Sequence, residues 1–200
     1  IMEIREAVRW TSLKSVFIPL PDFNNQRLIA KFLKDEISLI DSLLEKKDHL
    51  VRLLKKRQEL FIEEQLNSVD ASLNYRLKFV INGIEQGWSP QCHDTRVDGE
   101  NWGVLKLGAI TKGTYIENEH KSLPDTLNPR PSLRVNAGDV LVARASGSPK
   151  LVGKAVYVEK VNLNLMMSDK HFRLVPNAMK VRPEYLALVV NSMKCRNQIE

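Results

Sequence analysis

A stretch of about 45 residues without glycine or proline, from residue 23 to about residue 67, constrains the fold of this chain more than any other feature. Apolar residues recur in it at steps of four and three, which is the spacing of one face of an α-helix. The members of this apolar seam are Leu33, Ile37, Ile40, Leu44, Val51, Leu54 and Phe61. The pattern predicts one long amphipathic helix of the coiled-coil type.

The residues before this stretch indicate how the helix begins. Asp22 is a typical N-cap, and the apolar segment 16–21, which contains Pro19 and Pro21, is predicted to form a short strand. A helix of this length measures roughly 65–70 Å, whereas a domain of the remaining size has a radius of gyration of only ~14 Å. The seam therefore needs a second long helix as its partner.

Charge is distributed unevenly along the chain. The net charge is +6, and the residues 72–200 contain eighteen Lys and Arg against twelve Asp and Glu, so that the excess lies in this part. The residues 22–71 contain nine basic and ten acidic side chains, a balance that is typical of a solvated helix surface. A basic globular part favours an anionic partner such as nucleic acid, although many basic domains bind none.

The C-terminal part has the pattern of a mixed domain. Alternating apolar segments predict strands, residues 75–84 predict a short helix or strand, and Pro183 precedes a terminal helix over 184–200. The predicted strands are 102–110, 139–144, 152–158 and 171–175. The fold class is therefore α+β, with a long coiled-coil spacer helix over 22–70, a mixed α/β domain over 71–200, a polar hinge at 67–74, and residues 1–21 as a separate leading segment.

The sequence lacks the common motifs for catalysis and for membrane insertion. There is no phosphate-binding loop and no glycine-rich methyltransferase loop, and Glu119, His120 and Lys121 match only half of a nuclease motif. Cys92 and His93 are too few ligands for a metal site. We therefore expect no catalytic residue, no metal and no cofactor. The absence of an apolar run of eighteen residues, of a leader and of paired cysteines predicts a soluble protein of the reducing cytoplasm.

Two blocks of sequence together resemble a known family. The first block is 18–33, with Pro-Leu-Pro at 19–21, followed by the basic run 46–58. It is similar to the spacer helix of specificity subunits from type I restriction-modification systems. The second block is similar to one subgroup of the target recognition domains of that family, and its segments are 87–92, 102–106, 119–124, 138–144, 151–153 and 168–170.

The resemblance implies a function and a set of partners. It implies a non-catalytic subunit that reads one half of a bipartite sequence in double-stranded DNA and positions modification (methyltransferase) subunits, in a complex that also contains restriction/translocase subunits. Subunits of the family usually have two recognition domains and two antiparallel helices. Residues 1–21 resemble the tail of a preceding domain, so that we expect a shortened piece or a half-length subunit that forms an antiparallel homodimer. A coiled-coil dimeric adaptor whose basic domain binds protein is the alternative.

Candidate DNA-binding residues lie in loops of the second block. Phosphates require cations, and base edges require amides or planar donors, so that Gln91 suits adenine and Arg144, in a loop of small residues, suits a phosphate. Trp88 is also a candidate core residue. The complete set is Arg144, Ser146, Ser148 and Lys150 in a first loop, Trp88, Ser89, Gln91, His93 and Arg96 in a second, Lys106, and Lys170, His171 and Arg173 in a third.

Overall fold

The computed structural model describes residues 9–68 and 74–199. The chain divides into two compact units, residues 1–56 and 57–200, and the boundary between them lies inside the long helix. No helix in these two described stretches is both long enough and apolar enough to cross a membrane.

The first unit consists of a short helix, α1 (Trp10–Leu13), and most of the long helix, α2 (Phe23–Asn67). The predicted helix is confirmed, and so is its cap, because the Oδ1 atom of Asp22 accepts a hydrogen bond of 3.0 Å from the backbone N–H of Asn25. All seven side chains of the apolar seam are exposed, with exposed fractions between 41% and 63%. The seam therefore has no cover in the single chain described.

The predicted strand at 16–21 is wrong. These residues have no regular secondary structure, and the side chain of Phe17 is 99% exposed. Pro19 and Pro21 lack the backbone N–H that a sheet requires, and no strand in the described part of the chain pairs with this segment. The proposed tail of a preceding domain lies partly in residues 1–8, which are outside the described residues.

The second unit contains the strands and the remaining helices. The strands in its described part are β1 (Ile81–Gln86), β2 (Trp102–Leu105), β3 (His120–Ser122), β4 (Val140–Ala143), β5 (Ala155–Tyr157), β6 (Asn164–Met166) and β7 (His171–Pro176). The helices that follow α2 are α3 (Gly108–Thr111), α4 (Pro183–Asn191) and α5 (Met193–Arg196), and single 3-10 turns occur at Leu77–Phe79, Pro131–Leu133 and Pro149–Leu151.

The strands form two sheets. In the four-stranded sheet the order is β1-β7-β4-β5, and every neighbouring pair is antiparallel. In the three-stranded sheet the order is β3-β2-β6, with β2 antiparallel to β3 and parallel to β6. The predicted fold class, a long helix followed by a mixed α/β domain, is confirmed.

Strand β4 lies at the centre of the second unit and is buried on both faces. Successive side chains of a strand point to opposite sides, so that β4 contributes to two apolar clusters. Val140 and Val142 belong to a cluster that includes Leu186 and Val190 of α4. Leu141 and Ala143 belong to a second cluster, which includes Leu105 of β2, Ile110 of α3 and Leu165 of β6. The sheet is thus fixed between the helix and the other sheet.

Some local predictions need correction. The strand predicted over 102–110 ends at Leu105, and helix α3 follows it. The terminal helix begins at Pro183, one residue before the predicted range 184–200. It is interrupted at Ser192, whose Oγ accepts a hydrogen bond of 3.3 Å from the N–H of Cys195 and caps α5. The short strands β3 and β6 were not predicted, because three-residue strands carry almost no periodicity. The polar hinge predicted at 67–74 includes residues 69–73, which are outside the described residues.

Candidate nucleic-acid interface

The sheet topology brings three loops to one edge of the second unit. In the order β1-β7-β4, antiparallel pairing places the end of β1, the start of β7 and the end of β4 side by side. Gln86 pairs with Phe172, and Ala143 pairs with His171, at this edge. The loops 87–92, 144–153 and 167–170 are therefore neighbours, and we refer to them together as the three-loop edge. They contain residues from each of the three predicted DNA-binding loops.

Hydrogen bonds connect the loops of this edge through the turn at Asp169. The Arg144 side chain donates from Nη1 to the carbonyl oxygen of Asp169 at 3.2 Å, and its backbone N–H donates to the carbonyl oxygen of Lys170 at 2.8 Å. The Ser89 hydroxyl donates to the Asp169 carboxylate, while the Asp169 N–H donates to Ser89 Oγ at 3.1 Å. Arg144 and Ser89 thus occupy fixed places on either side of one turn.

Gly87 is required at the point where β1 enters this edge. A Cβ atom there would overlap with the carbonyl oxygens of both Met167 and Ser168. This close approach lets the next residue, Trp88, donate its backbone N–H to the carbonyl oxygen of Met167 at 2.9 Å. The glycine therefore sets the position of Trp88 and Ser89 against the turn at Asp169.

The first predicted loop presents its basic side chains to solvent. Arg144 and Lys150 are exposed, whereas Ser146 and Ser148 are half-buried, and the N–H of Ser148 donates to the Oγ of Ser146 at 3.2 Å. Arg196, in α5, donates from its guanidinium to the carbonyl oxygens of Lys150, at 3.1 Å, and of Val152. Sequence reasoning missed this contact, because the two partners are separated by 46 residues.

The second predicted loop extends from the four-stranded sheet toward the three-stranded sheet. Gln91, His93 and Arg96 are exposed, and His93 forms a pair of backbone hydrogen bonds with Ser122, of 3.1 and 3.2 Å. Lys106 is also partly exposed, but its Nζ atom lies 2.7 Å from Asp94 Oδ1. This contact lowers the pKa of the Asp94 carboxyl group, through a hydrogen bond and through the positive charge of Lys106.

Two of the predicted DNA-binding residues are buried. His171 is fully buried, and its Nδ1 atom accepts a hydrogen bond of 3.2 Å from the N–H of Ser168. Burial lowers the pKa of His171 to about 4, so that the ring is neutral at pH 7. Lys170, which directly precedes His171 in the chain, is exposed.

Arg173 is the second buried residue, with an exposed fraction of 8%. Its guanidinium donates to Glu85 Oε2 and, at 2.9 Å, to Asp139 Oδ2. It also donates to the carbonyl oxygens of Ser132 and Arg134, at 2.8 and 2.7 Å. All donor directions of the guanidinium are thus used inside the protein, and neither Arg173 nor His171 belongs to an accessible surface.

An arginine outside the predicted loops also contributes to this region. The guanidinium of Arg130, which is exposed, lies over the ring of Trp88 at 4.0 Å from the ring centroid. Trp88 is half-buried, so that it is neither a core residue nor a free surface residue. The only signal in the sequence for Arg130 is its position between Pro129 and Pro131 in a basic domain.

The half-match to a nuclease motif has a structural explanation. His120 is buried, its Nδ1 atom donates to the carbonyl oxygen of Glu117 at 2.6 Å, and its Nε2 atom accepts from the N–H of Val97 at 2.9 Å. Both ring nitrogens therefore have protein partners. Within the two described stretches, no group of three His, Cys, Asp or Glu residues is arranged to bind a metal. Burial raises the pKa of the half-buried Cys92 thiol, despite the opposing charge of Lys121.

Comparison with known proteins gives two relatives from Escherichia coli. The chain is 38% identical over 117 residues to the type I restriction enzyme EcoEI specificity subunit, an alignment that covers 58% of this chain and 20% of that protein. It is 22% identical over 207 aligned positions to the EcoKI specificity subunit of strain K12, covering 95% of this chain and 43% of that protein. This chain is similar in sequence to type I specificity subunits over part of their length. The resemblance found in the sequence is thereby confirmed.

The chain spans less than half the length of these curated relatives. No protein-family model matches it. Among solved structures, it is 19% identical to the HsdS subunit from Thermoanaerobacter tengcongensis, with a TM-score of 0.45 and coverage of 100% of this chain and 48% of the other. A structure of a type I R-M system complex gives 20% identity, a TM-score of 0.43, and coverage of 92% and 45%.

Proposed function

We propose that this chain is a non-catalytic DNA-recognition unit that reads one half of a bipartite target in double-stranded DNA. The convergence of three loops with basic and polar side chains at one edge of the second unit is the observation that carries this proposal. The names of the two E. coli relatives support it independently, because both are specificity subunits of restriction enzymes. The excess of positive charge over residues 72–200 agrees with an anionic partner.

The three-loop edge has the groups that duplex DNA requires. Arg144, Lys150 and Lys170 are exposed cations, which suit phosphate oxygens and guanine. The small residues between Arg144 and Lys150 leave room for a phosphate to approach the backbone. Gln91 is exposed and suits the amide contact with adenine. The buried His171 and Arg173 position this edge and are not part of the proposed contact surface.

The proposed partners follow from the relatives. We propose that the chain acts within a complex that contains modification (methyltransferase) and restriction/translocase subunits, and that the long helix sets the separation between two DNA half-sites. A cytoplasmic location, where chromosomal DNA is accessible, remains a prediction. Copurification of this chain with the modification subunit from its own host, followed by mapping of methylated adenines, tests both the assembly and the bipartite target.

We further propose that the exposed apolar seam of α2 packs against another long helix, and that two copies of the isolated chain form an antiparallel homodimer. A Leu44→Lys substitution places a charge in the middle of the seam, at a side chain that is 55% exposed in the single chain. The wild-type chain is expected to have the mass of a dimer in light scattering at micromolar concentration, and the variant that of a monomer. A monomeric wild-type chain would contradict this proposal.

The experiment that tests DNA recognition compares variants of the first loop. The double variant Arg144→Ala, Lys150→Ala removes two exposed cations from the three-loop edge. It is expected to weaken binding to a duplex, selected by the wild-type chain from a randomised pool, by at least about tenfold, and to lower the salt dependence of binding by about two phosphate contacts. The matched control is Lys160→Ala, because Lys160 is exposed and follows the far end of β5.

Two results contradict the proposal at different levels. Unchanged affinity of the double variant would remove the first loop from the interface. If the wild-type chain bound no duplex, even random-sequence DNA at low salt, recognition of DNA by this chain would be wrong, because phosphate contacts alone give measurable, salt-sensitive affinity. That second result would favour the protein-binding adaptor.

A further inference from the structure

Arg130 lies in the long connection between β3 and β4, outside all the loops to which the sequence points. Its backbone is fixed against the end of β6, because its N–H contacts the Sδ atom of Met166 at 3.1 Å and its carbonyl oxygen accepts from the N–H of Leu133 at 2.9 Å. Met167, the next residue of that strand end, donates its N–H to the carbonyl oxygen of Leu133 at 3.1 Å. Arg130 therefore projects from a well-connected segment rather than from a free loop.

The side chain of Arg130 is oriented by Trp88. The guanidinium lies 4.0 Å from the ring centroid, a favourable cation–π distance. Both partners are anchored at consecutive residues of one strand end, since Trp88 donates its N–H to the carbonyl oxygen of Met167 and Arg130 contacts Met166. A guanidinium that lies against a ring keeps its N–H groups at its rim available for other acceptors.

Those N–H groups have no acceptor within the described residues. The guanidinium of Arg130 makes no hydrogen bond and no ion pair in that part of the chain, whereas the guanidinium of Arg173 donates to four residues. An exposed, oriented guanidinium with all its donors available is suited to a ligand with two acceptors in one plane.

The location of Arg130 connects it to the three-loop edge. Trp88 precedes Ser89, whose hydroxyl contacts Asp169, and Arg144 donates to the carbonyl oxygen of the same Asp169 at 3.2 Å. Two exposed arginines, Arg130 and Arg144, are thus connected through a single short network.

We propose that Arg130 is a DNA-contacting residue, held in orientation by Trp88, that donates two parallel hydrogen bonds to paired acceptors of duplex DNA. The acceptors are either O6 and N7 of a guanine or two oxygens of a phosphate, which present the same geometry. This inference rests on the proposed function and adds a contact residue and a positioning residue to it. Trp88 acts through Arg130 and needs no contact with DNA of its own.

The test uses the full chain with three substitutions. Arg130→Ala removes the guanidinium, Arg130→Lys keeps the charge but removes the paired donors, and Trp88→Leu removes the ring under the guanidinium. The matched control is Arg182→Ala, because Arg182 is exposed and precedes α4 at the opposite edge of the sheet. Circular dichroism and thermal unfolding establish that each variant is folded before binding is measured.

Binding is measured for two probes: the duplex that the wild-type chain selects from a randomised pool, and a random-sequence duplex of equal length. Arg130→Ala and Arg130→Lys are both expected to raise the Kd for the selected duplex by about tenfold or more, since a bidentate contact discriminates by roughly that factor. Trp88→Leu is expected to raise it by a smaller factor with the charge unchanged, and Arg182→Ala is expected to change it less than about twofold.

The two acceptors give different patterns. If Arg130 contacts a guanine, Arg130→Ala weakens binding to the selected duplex only. Selection repeated with this variant then shows no preference for guanine at one position. If Arg130 contacts a phosphate, Arg130→Ala weakens binding to both probes and lowers the slope of log affinity against log salt concentration by about one. Either pattern supports the proposal.

Wild-type affinity of Arg130→Ala for both probes would overturn the proposal, and wild-type affinity of Arg130→Lys would overturn the paired contact. An unaltered Kd for Trp88→Leu would exclude the positioning role of Trp88. If Arg130→Ala binds normally while the Arg144, Lys150 double variant does not, this inference fails and the proposed function remains. If the wild-type chain binds neither probe, the proposed function itself fails.

Discussion

The buried His171 predicts a specific loss of stability at acidic pH. Burial lowers its pKa in the folded protein from 6.5 to about 4; the charge of Asp169 opposes this shift, and that of Lys170 adds to it. Between pH 6.5 and about pH 4, His171 is protonated in the unfolded chain and neutral in the folded protein. The stability that the neutral His171 contributes is therefore complete above pH 6.5 and is lost as the pH falls. One pKa unit corresponds to about 1.4 kcal/mol, so that the loss reaches about 2 kcal/mol at pH 5 and about 3 kcal/mol at pH 4.

The measurement compares urea unfolding of the wild-type chain and of His171→Asn at pH 7.5 and pH 5. Asparagine does not titrate, and its Oδ1 atom keeps an acceptor near the position of Nδ1, which accepts from Ser168. The variant is expected to be less stable at pH 7.5, because a smaller side chain leaves a cavity. Between pH 7.5 and pH 5, however, the wild-type chain is expected to lose about 2 kcal/mol more than the variant.

The difference between the two proteins isolates His171, because carboxyl groups whose pKa is lowered in the folded protein, such as Asp94 and Glu117, are common to both. An equal loss of stability in the two proteins would refute the reasoning, since it would mean that His171 binds its proton in the folded state. DNA affinity at pH 7.5 provides a second check. The affinity is expected to be unchanged in the folded variant, because the imidazole of His171 is buried and is not exposed at the three-loop edge.

Two further substitutions test the supports of the three-loop edge. Arg173→Ala leaves the mostly buried Asp139 without its cation and is expected to lower the free energy of unfolding by about 3 kcal/mol. This value is at the lower end for a buried ion pair because Glu85 is half-exposed. Urea unfolding measures the loss, and a loss under about 1 kcal/mol would contradict the prediction. Gly87→Ala places a Cβ against the carbonyl oxygen of Met167 and is expected to cost about 1–3 kcal/mol, seen as a lower Tm, whereas an unchanged Tm would contradict the close approach.

The long helix could be predicted almost to the residue because everything that specifies it is local. The apolar spacing, the lack of glycine and proline, and the Asp22 cap lie within the helix or directly before it. The loops of the candidate site could be located from the family resemblance, and the strands that lead into them from alternation. What the local pattern could not predict is which segments find a partner strand, and the segment 16–21, with its two prolines, finds none in the described part of the chain.

The roles of the arginines were decided only by the tertiary structure. From the sequence, Arg173 was predicted to contact DNA and Arg130 was not, although both arginines belong to the same basic domain. Arg173 meets Glu85 and Asp139, which are 88 and 34 residues away in the chain, and these contacts use up its donors inside the protein. The guanidinium of Arg130 lies over the ring of Trp88 and makes no hydrogen bond or ion pair with the described residues, so that its donors remain available. The sequence by itself determined the helix, the class of the domain and the total charge, because these follow from local pattern and composition. Which charges remain available to a partner depends on contacts between distant segments, and only the folded chain brings those segments together.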